Sequence, residues 1–582
     1  MKLRERRIAQ VLGGLAVLVV LAPVLLAPTE RALGERYVDG FGTQWWFWYA
    51  GELVAGRASF FHTDLLFYPT GKDVFTHTGG NLLDAMLALP LRAILGNTAG
   101  YNAWIAVVVA TNFAAGARLG RIATGLPGWP AGIALSLNPY VLNELAGGRP
   151  TQAWLALPAL ALAGVWGATT LVEAVLTGLA VAASGWLYWY GGLVVGLLAA
   201  VLGLVRIVTD RSRNRRALYL AVSAMVAGIV VAPGVILMRD ALASGAVPGL
   251  LALNGAGPIA PLAMTTMEGD SAGLHVLAPF LGVAGSLIDD EGLRFVGAEP
   301  SLGFATAGAA LVGLVLAARA RRWELVAGAL CVALVAAIAA TGPAIVVGSG
   351  FVVNRPWVWA ASHVDLLRRW WWPGRAIFGL YLGLVMVIPL LARVRGLSWV
   401  FLAAVMIELV RTGDLPAPTW DAREPAPLRC LADAPPGAVV DLPFLADQHN
   451  LWFQTVHHHP LLSGMLVKKP AFGSAGALQL RAENGFLDRL LAYGELKVTQ
   501  DPSFNPAERE ALVALGFRYV VVDLSRMEGA AAGRGGATFN KSMWPRLRRL
   551  LTPMIGEPQA EGDGAAVYTL DGSKLGCLAS SP

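Results

Sequence analysis

Five residues stand out from an otherwise apolar chain because of where they fall. Asp39, in Val-Asp-Gly, lies a few residues beyond the end of the first apolar run. A carboxylate near a bilayer boundary, shielded by aromatic residues, can have a raised pKa and accept a proton from a hydroxyl. Arg149 falls on what the charge pattern marks as the outer side, as do Arg368, Arg369 and Arg375 in HVDLLRRWWWPGRAIF. Positive charge on that side runs against the usual bias, and the planar guanidinium fork suits phosphate oxygens. Transfer from a lipid-linked phosphate needs such parts: a base for the acceptor hydroxyl, cations for the departing phosphate, and a site at the water-lipid boundary. His62, Asp64 and His77 share the loop of Asp39 and could bind a metal or sugar hydroxyls; Glu299 sits at the outer boundary just before an inward-going span.

Each group also has a plainer reading. Asp39, beside Gly40, could cap a helix or occupy a solvated turn, and Glu299 suits a helix cap. The Trp-rich arginine segment could be an interfacial helix whose arginines snorkel to lipid phosphates. His457, His458 and His459 are consecutive, and in a strand His457 and His459 would share one face. Their neighbours supply no convincing further ligands, so no metal site is assigned; a divalent metal is left open as a cofactor. No Walker loop, zinc motif, nucleophile elbow or dinucleotide fingerprint occurs in a suitable context.

The elements that must position these residues are membrane helices. The 582 residues are 55% hydrophobic and 14% charged, with a mean hydropathy of +0.56, whereas a soluble domain carries roughly 25% charged residues. The net charge of +6 arises from arginines in short loops between apolar runs, which the positive-inside rule explains without a nucleic-acid partner. Residues 8–28 follow a basic flank and are long enough to span, as an uncleaved first helix. Further spans are expected at 101–119, 129–143, 151–168, 171–188, 190–208, 218–237, 302–318, 325–340, 377–392 and 400–410, about eleven in all with the first. Residues 81–95 are read as a helix in the outer interface, and the aromatic block Trp45 to Tyr49 as belonging at a membrane surface.

The fold class is therefore mainly α, a polytopic membrane domain over 1–413, with outer loops at 29–100, 239–301 and 342–376. A Pro-rich linker at 414–428 leads to a small extracytoplasmic α/β domain at 429–582. Its strands are read in GAVVDLP, FRYVVVDL and AAVYTL, with a helix over 506–515 before the second. Cys430 and Cys577 flank this region, and whether they are bonded is left open by the sequence.

The order of a first helix, a long outer loop with an early acidic residue (YVDG), an aromatic helix (QWWFWYAGELVAG), FFHTDLLFYPTG, the Asn138-Pro139-Tyr140 triplet and GRPTQAWLALPAL resembles the bacterial integral-membrane glycosyltransferases of the GT-C fold. These are similar to protein O-mannosyltransferases and aminoarabinose transferases. Many relatives carry a paired acidic motif where this chain has Asp39 followed by Gly40, and often a His at the position of Arg149. The resemblance implies Asp39 as catalytic base, a polyprenyl-phosphate sugar donor, and a lipid, glycan or protein acceptor outside the cytoplasm. It also implies a bacterial inner-membrane location with the N-terminus inside. Two rival readings stay open: a non-catalytic scaffold of the same fold, and a transporter or lipid flippase. The latter calls for ionisable residues at mid-bilayer, where the spans offer little beyond Glu173 and Glu408.

Overall fold

The apolar runs fold as helices that end where arginine, glycine or proline stops them. The computed structural model describes residues 3–35, 39–78, 82–210, 212–243, 302–342, 344–347, 350–364, 367, 373–444, 449–465, 474–494, 505–524 and 543–576, together with five short strands between 252 and 296. In chain order the principal helices are α1 (Leu3–Leu21), α2 (Gly40–Val54), α3 (Leu82–Leu95), α4 (Asn97–Thr124), α5 (Trp129–Ser136), α6 (Pro139–Ala146), α7 (Pro150–Ala153), α8 (Ala156–Gly167), α9 (Leu171–Leu187), α10 (Trp189–Thr209) and α11 (Arg213–Ala243). They continue with α12 (Phe304–Arg319), α13 (Trp323–Ala340), α14 (Phe378–Val385) and α15 (Leu397–Thr412).

Among the described residues, six helical stretches are long and apolar enough to cross a membrane: Glu5–Val24, Asn97–Thr124, Trp189–Thr209, Arg213–Ala241, Trp323–Ala340 and Gly374–Arg393. Two shorter apolar helices, Leu171–Leu187 and Phe304–Arg319, accompany them. The protein is a multi-pass membrane protein. The expected run at 129–143 is divided in two at Asn138, whose backbone is extended (φ −136°, ψ 156°). Pro139 enforces the break, because the residue before a proline is driven out of the helical region. Asn138 serves both ends of the break. Its Nδ2 donates to the carbonyls of Ala134 and Leu135, at 3.0 and 3.1 Å, while its Oδ1 accepts from the Val141 N–H at 2.9 Å.

The charged groups at helix ends are used in the same way. Arg322 donates to the carbonyls of Thr124 and Ala123, both at 2.8 Å, closing the C-terminus of α4, and Arg216 does so at Ala168, just past α8. Glu173 forms a capping box with Thr170 at the start of α9. Glu408 of α15 accepts from the N–H groups of Phe304 and Ala305, at the open N-terminus of α12. Both membrane carboxylates are thus occupied in satisfying helix ends.

The chain divides into two compact units, Met1–Glu35 with Asn81–Trp420, and Arg36–Gly80 with Asp421–Pro582. In the first, strand segments of the two stretches expected as later outer loops form one five-stranded sheet: Gly350–Val353, Ala344–Val347, Ser271–His275, Gly285–Asp289 and Gly292–Val296, in that order. The Ser271–His275 strand lies against the 3-10 turn Pro373–Ile377, which carries Arg375.

The second unit is α/β. Its sheet holds β1 (Ala438–Leu442), β2 (Phe517–Asp523), β3 (Ala560–Gly562) and β4 (Ala565–Thr569) in the order β1-β2-β4-β3. The β1-β2 pair is parallel and the others antiparallel. Residues 36–80, expected in an outer loop of the membrane domain, are part of this unit, tied in by backbone bonds from Phe67 to Ser463 (3.0 Å), Tyr68 to Leu461 (2.9 Å) and Leu461 to Leu65 (3.0 Å). The surface placement of the aromatic block is corrected. Trp45, Trp46, Phe47, Trp48 and Tyr49 of α2 are all buried in the unit, packed on α16 (His449–His457). Five consecutive aromatic residues cover every side of a helix, and a helix that is apolar all round is a core helix. Cys430 is disulfide-bonded and Cys331 is free; Cys577 lies outside the described residues.

Candidate active site

Helix α6 ends in Glu144-Leu-Ala-Gly-Gly-Arg149, and the two glycines let the chain fold back on the helix. Gly148 has φ +72°, in the left-handed region that favours glycine. At Gly147 a Cβ would come within 2.6 Å of the Arg149 guanidinium, so that group occupies the space a side chain there would fill. Arg149 donates from its backbone N–H to the Glu144 carbonyl at 2.8 Å and from Nε to the Glu144 carboxylate. The other carboxylate oxygen faces Arg375, with Nε at 3.6 Å. Arg375 also donates to the Tyr188 hydroxyl at 3.4 Å. Tyr188 is the extended residue between α9 and α10, with φ −157° and ψ 107°.

The Glu144 side chain is 2% exposed, with Arg149 at 16% and Arg375 at 21%. Two guanidinium groups meet one carboxylate in a largely dry setting, where charge acts strongly. Such a group can position an anion. The carboxylate bonds the Nε edge of Arg149 and faces that of Arg375 as an ion pair, which is the work of a positioning residue.

A second carboxylate stands close by in the chain's packing. Asp84 of α3 is fully buried and accepts from the Thr151 hydroxyl at 2.5 Å, two residues beyond Arg149. Burial pushes its carboxyl up to about 7, against the smaller opposing effect of the Thr151 hydrogen bond. The strand Arg31–Leu33 borders this end of the unit. Leu33 N–H donates to Asn102 Oδ1 at 3.1 Å, and Glu35 N–H donates to the Ala146 carbonyl at 2.6 Å.

The structure brings together two of the residues singled out from sequence, Arg149 and Arg375. Asp39 belongs to the second unit, half-buried at the start of α2. It occupies the N-cap position, but its side chain makes no capping hydrogen bond. His62 and Asp64 pair with each other at 3.2 Å on an exposed turn, at 55% and 69% exposure. His77 lies on the short helix Val74–Thr78, and its side chain is outside the described residues. Arg368, Arg369 and Glu299 also lie outside the described residues. The signal for Glu144 was in the sequence, a carboxylate five residues before an arginine on the unexpected side. Asp84 carried no such signal, because polarity within an apolar run does not reveal its partner.

The histidine triplet is not in a strand. His457 ends α16, His458 has φ +64°, and the reversal stacks the rings of His457 and His459 at 5.8 Å. The His459 N–H donates to His457 Nδ1 at 3.0 Å, and His459 Nε2 lies 2.9 Å from the Leu431 carbonyl. These are core histidines, whose burial pulls both rings below their ordinary pKa. Among the described residues, no group of three or more His, Cys, Asp or Glu side chains could hold a metal ion.

No known family model matches the chain, and no curated protein matches it. Solved structures do. The archaeal oligosaccharyltransferase AglB from Archaeoglobus fulgidus, in complex with an inhibitory peptide and a dolichol-phosphate, is 12% identical over 90% of this chain and 70% of its own, with a TM-score of 0.50. The mycobacterial arabinofuranosyltransferase AftD is 14% identical over 97% of this chain, with a TM-score of 0.51; the match spans 41% of that longer protein. At such identities the likeness is one of fold, and the chain has the multi-pass GT-C-like fold that its order of motifs implied.

Proposed function

We propose that the protein is a membrane glycosyltransferase that moves a sugar from a polyprenyl-phosphate donor to a hydroxyl of an extracytoplasmic lipid, glycan or protein. The observation that carries this reading is the Arg149–Glu144–Arg375 cluster, in which two guanidinium groups meet one buried carboxylate. In the proposed reaction the acceptor hydroxyl attacks the anomeric carbon of the sugar and gives its proton to Asp39. The bond from that carbon to the phosphate oxygen breaks, and the phosphate leaves with the electron pair, its charge met by Arg149 and Arg375. Arg368, Arg369, Glu299, His62, Asp64 and His77 are proposed as further substrate contacts, and the sheet of the second unit as a recognition module for acceptor or partner. Support comes from two proteins that share the fold, an oligosaccharyltransferase solved with a dolichol-phosphate and an arabinofuranosyltransferase.

The test is sugar transfer by purified, detergent-solubilised protein, given a panel of labelled polyprenyl-phosphate sugars and a membrane extract as acceptor source. Asp39→Asn keeps the shape and removes the base. It is expected to lower the rate by about two to four orders of magnitude, with thermal unfolding measured beside it to confirm that the variant is folded. Retained activity in Asp39→Asn would move the base elsewhere, to Asp64 or Glu299 first. No transfer by the wild type from any donor would favour the scaffold or transporter reading.

A further inference from the structure

A crevice of about 410 Å³ opens between α1, α4 and the start of α5, and the proposed sugar transfer does not use it. Its apolar part is lined by Gly13, Gly14 and Val17 of α1, Phe113 and Ala114 of α4, and Trp129 of α5. Its polar part is lined by Arg6, Arg118 and Arg121, with Glu5 and Gln10. α1 borders the crevice with two adjacent glycines, of which Gly13 packs against the Phe113 ring, 3.0 Å from where a Cβ would stand, and Gly14 leaves space open. A Cβ at Gly14 would meet nothing within 4 Å. An apolar cleft in a membrane bundle must be filled, since empty space forfeits dispersion contacts and water there would lack polar partners. Hydrocarbon is the available filler. At one end Arg6 and Arg118 stand against Glu5, and these guanidinium groups call for a negative head group on that hydrocarbon.

The position separates this crevice from the proposed donor site. The Glu144 end of α6 is held, through Leu33 and Glu35, beside Asn102 near the start of α4. Arg118 lies sixteen residues further along the same helix, about 24 Å at 1.5 Å per residue, and Arg121 lies one turn beyond. That separation approaches the ~30 Å of a bilayer core, so the arginines of the crevice and the Glu144 cluster belong to opposite faces of the membrane. We infer that the crevice is a binding site for an anionic glycerophospholipid, one acyl chain lying along Gly13, Gly14 and Phe113 and the phosphate meeting Arg6, Arg118 and Arg121.

The experiment is native mass spectrometry of the full-length protein, in detergent doped with either phosphatidylglycerol or phosphatidylcholine. The wild type is expected to retain phosphatidylglycerol at least about tenfold over phosphatidylcholine, and R118Q/R121Q to lose that preference. Because the double variant removes two charges at a helix end, Gly14→Leu provides a second arm. Its Cβ would meet nothing within 4 Å, and the variant is expected to reduce retention of both lipids while still unfolding cooperatively. Equal retention of the two lipids by the wild type, an unchanged preference in R118Q/R121Q, or full retention in Gly14→Leu overturns the inference. Displacement of phosphatidylglycerol by a polyprenyl phosphate at equal concentration overturns it as well, by naming a different occupant.

Discussion

Arg149 closes back on Glu144 twice, from its backbone N–H to the helix carbonyl at 2.8 Å and from its Nε to the carboxylate. The second contact fixes the guanidinium and the first fixes the loop that carries it. Removing the carboxylate is therefore expected to cost more than removing either arginine. Glu144→Gln removes the buried charge that both guanidinium groups meet and is expected to destabilise the first unit by about 3–5 kcal/mol. Arg375→Gln breaks a longer contact of 3.6 Å and is expected to cost less in stability while raising the donor KM. Thermal unfolding in detergent, paired with the transfer assay, separates the two effects.

Asp84 makes stability depend on pH in a definite direction. Its carboxyl is raised to about 7 by burial, so between about pH 4 and pH 7 the folded chain holds a proton that the unfolded chain has released. Stability is then highest below about pH 4 and falls as pH rises toward 7, by up to about 4 kcal/mol from this group. Asp84→Asn is expected to flatten the fall, giving a higher melting temperature than wild type at pH 8 and a similar one at about pH 4. A parallel fall with pH in both proteins would assign the effect to other groups.

Lys72, in the second unit, predicts the opposite slope. It is fully buried, donates to the Met465 carbonyl at 3.2 Å and lies 5.3 Å from the centre of the Phe67 ring. Burial lowers its ammonium to about 7. Between about pH 7 and pH 10 the unfolded chain binds the proton and the folded chain does not, so stability from this group rises with pH across that window. Lys72→Met is expected to raise the melting temperature at pH 6, and by progressively less as pH rises toward 10. Hydrogen exchange at the backbone amides of α2 reads this unit.

The core of the second unit turns on one amide. Gln454 accepts from Trp45 Nε1 at 2.6 Å, and donates to the carbonyls of Leu65 at 2.7 Å and His459 at 3.0 Å. Trp45→Phe keeps an aromatic ring but leaves the Gln454 oxygen without its donor in a dry site, at an expected cost of about 1–3 kcal/mol. Gln454→Leu removes three bonds at once and is expected to cost more. Protection of the Leu65 and Leu461 amides from hydrogen exchange would fall in both variants.

The sequence by itself determined what depends on near neighbours. It marked the helices by length and hydropathy, the basic loops by count, the strands Ala438–Leu442, Phe517–Asp523 and Ala565–Thr569 by their β-branched runs, and Arg149 and Arg375 by their position against the charge bias. Only the tertiary structure decided which of these meet. The Glu144 carboxylate between the two arginines, Asp84 on Thr151, the sheet joining two outer loops and the burial of α2 all pair residues far apart in the chain. Hydrophobic pattern records how much apolar surface a segment must hide. It does not record what covers that surface, so an all-aromatic helix reads alike whether lipid or protein lies against it.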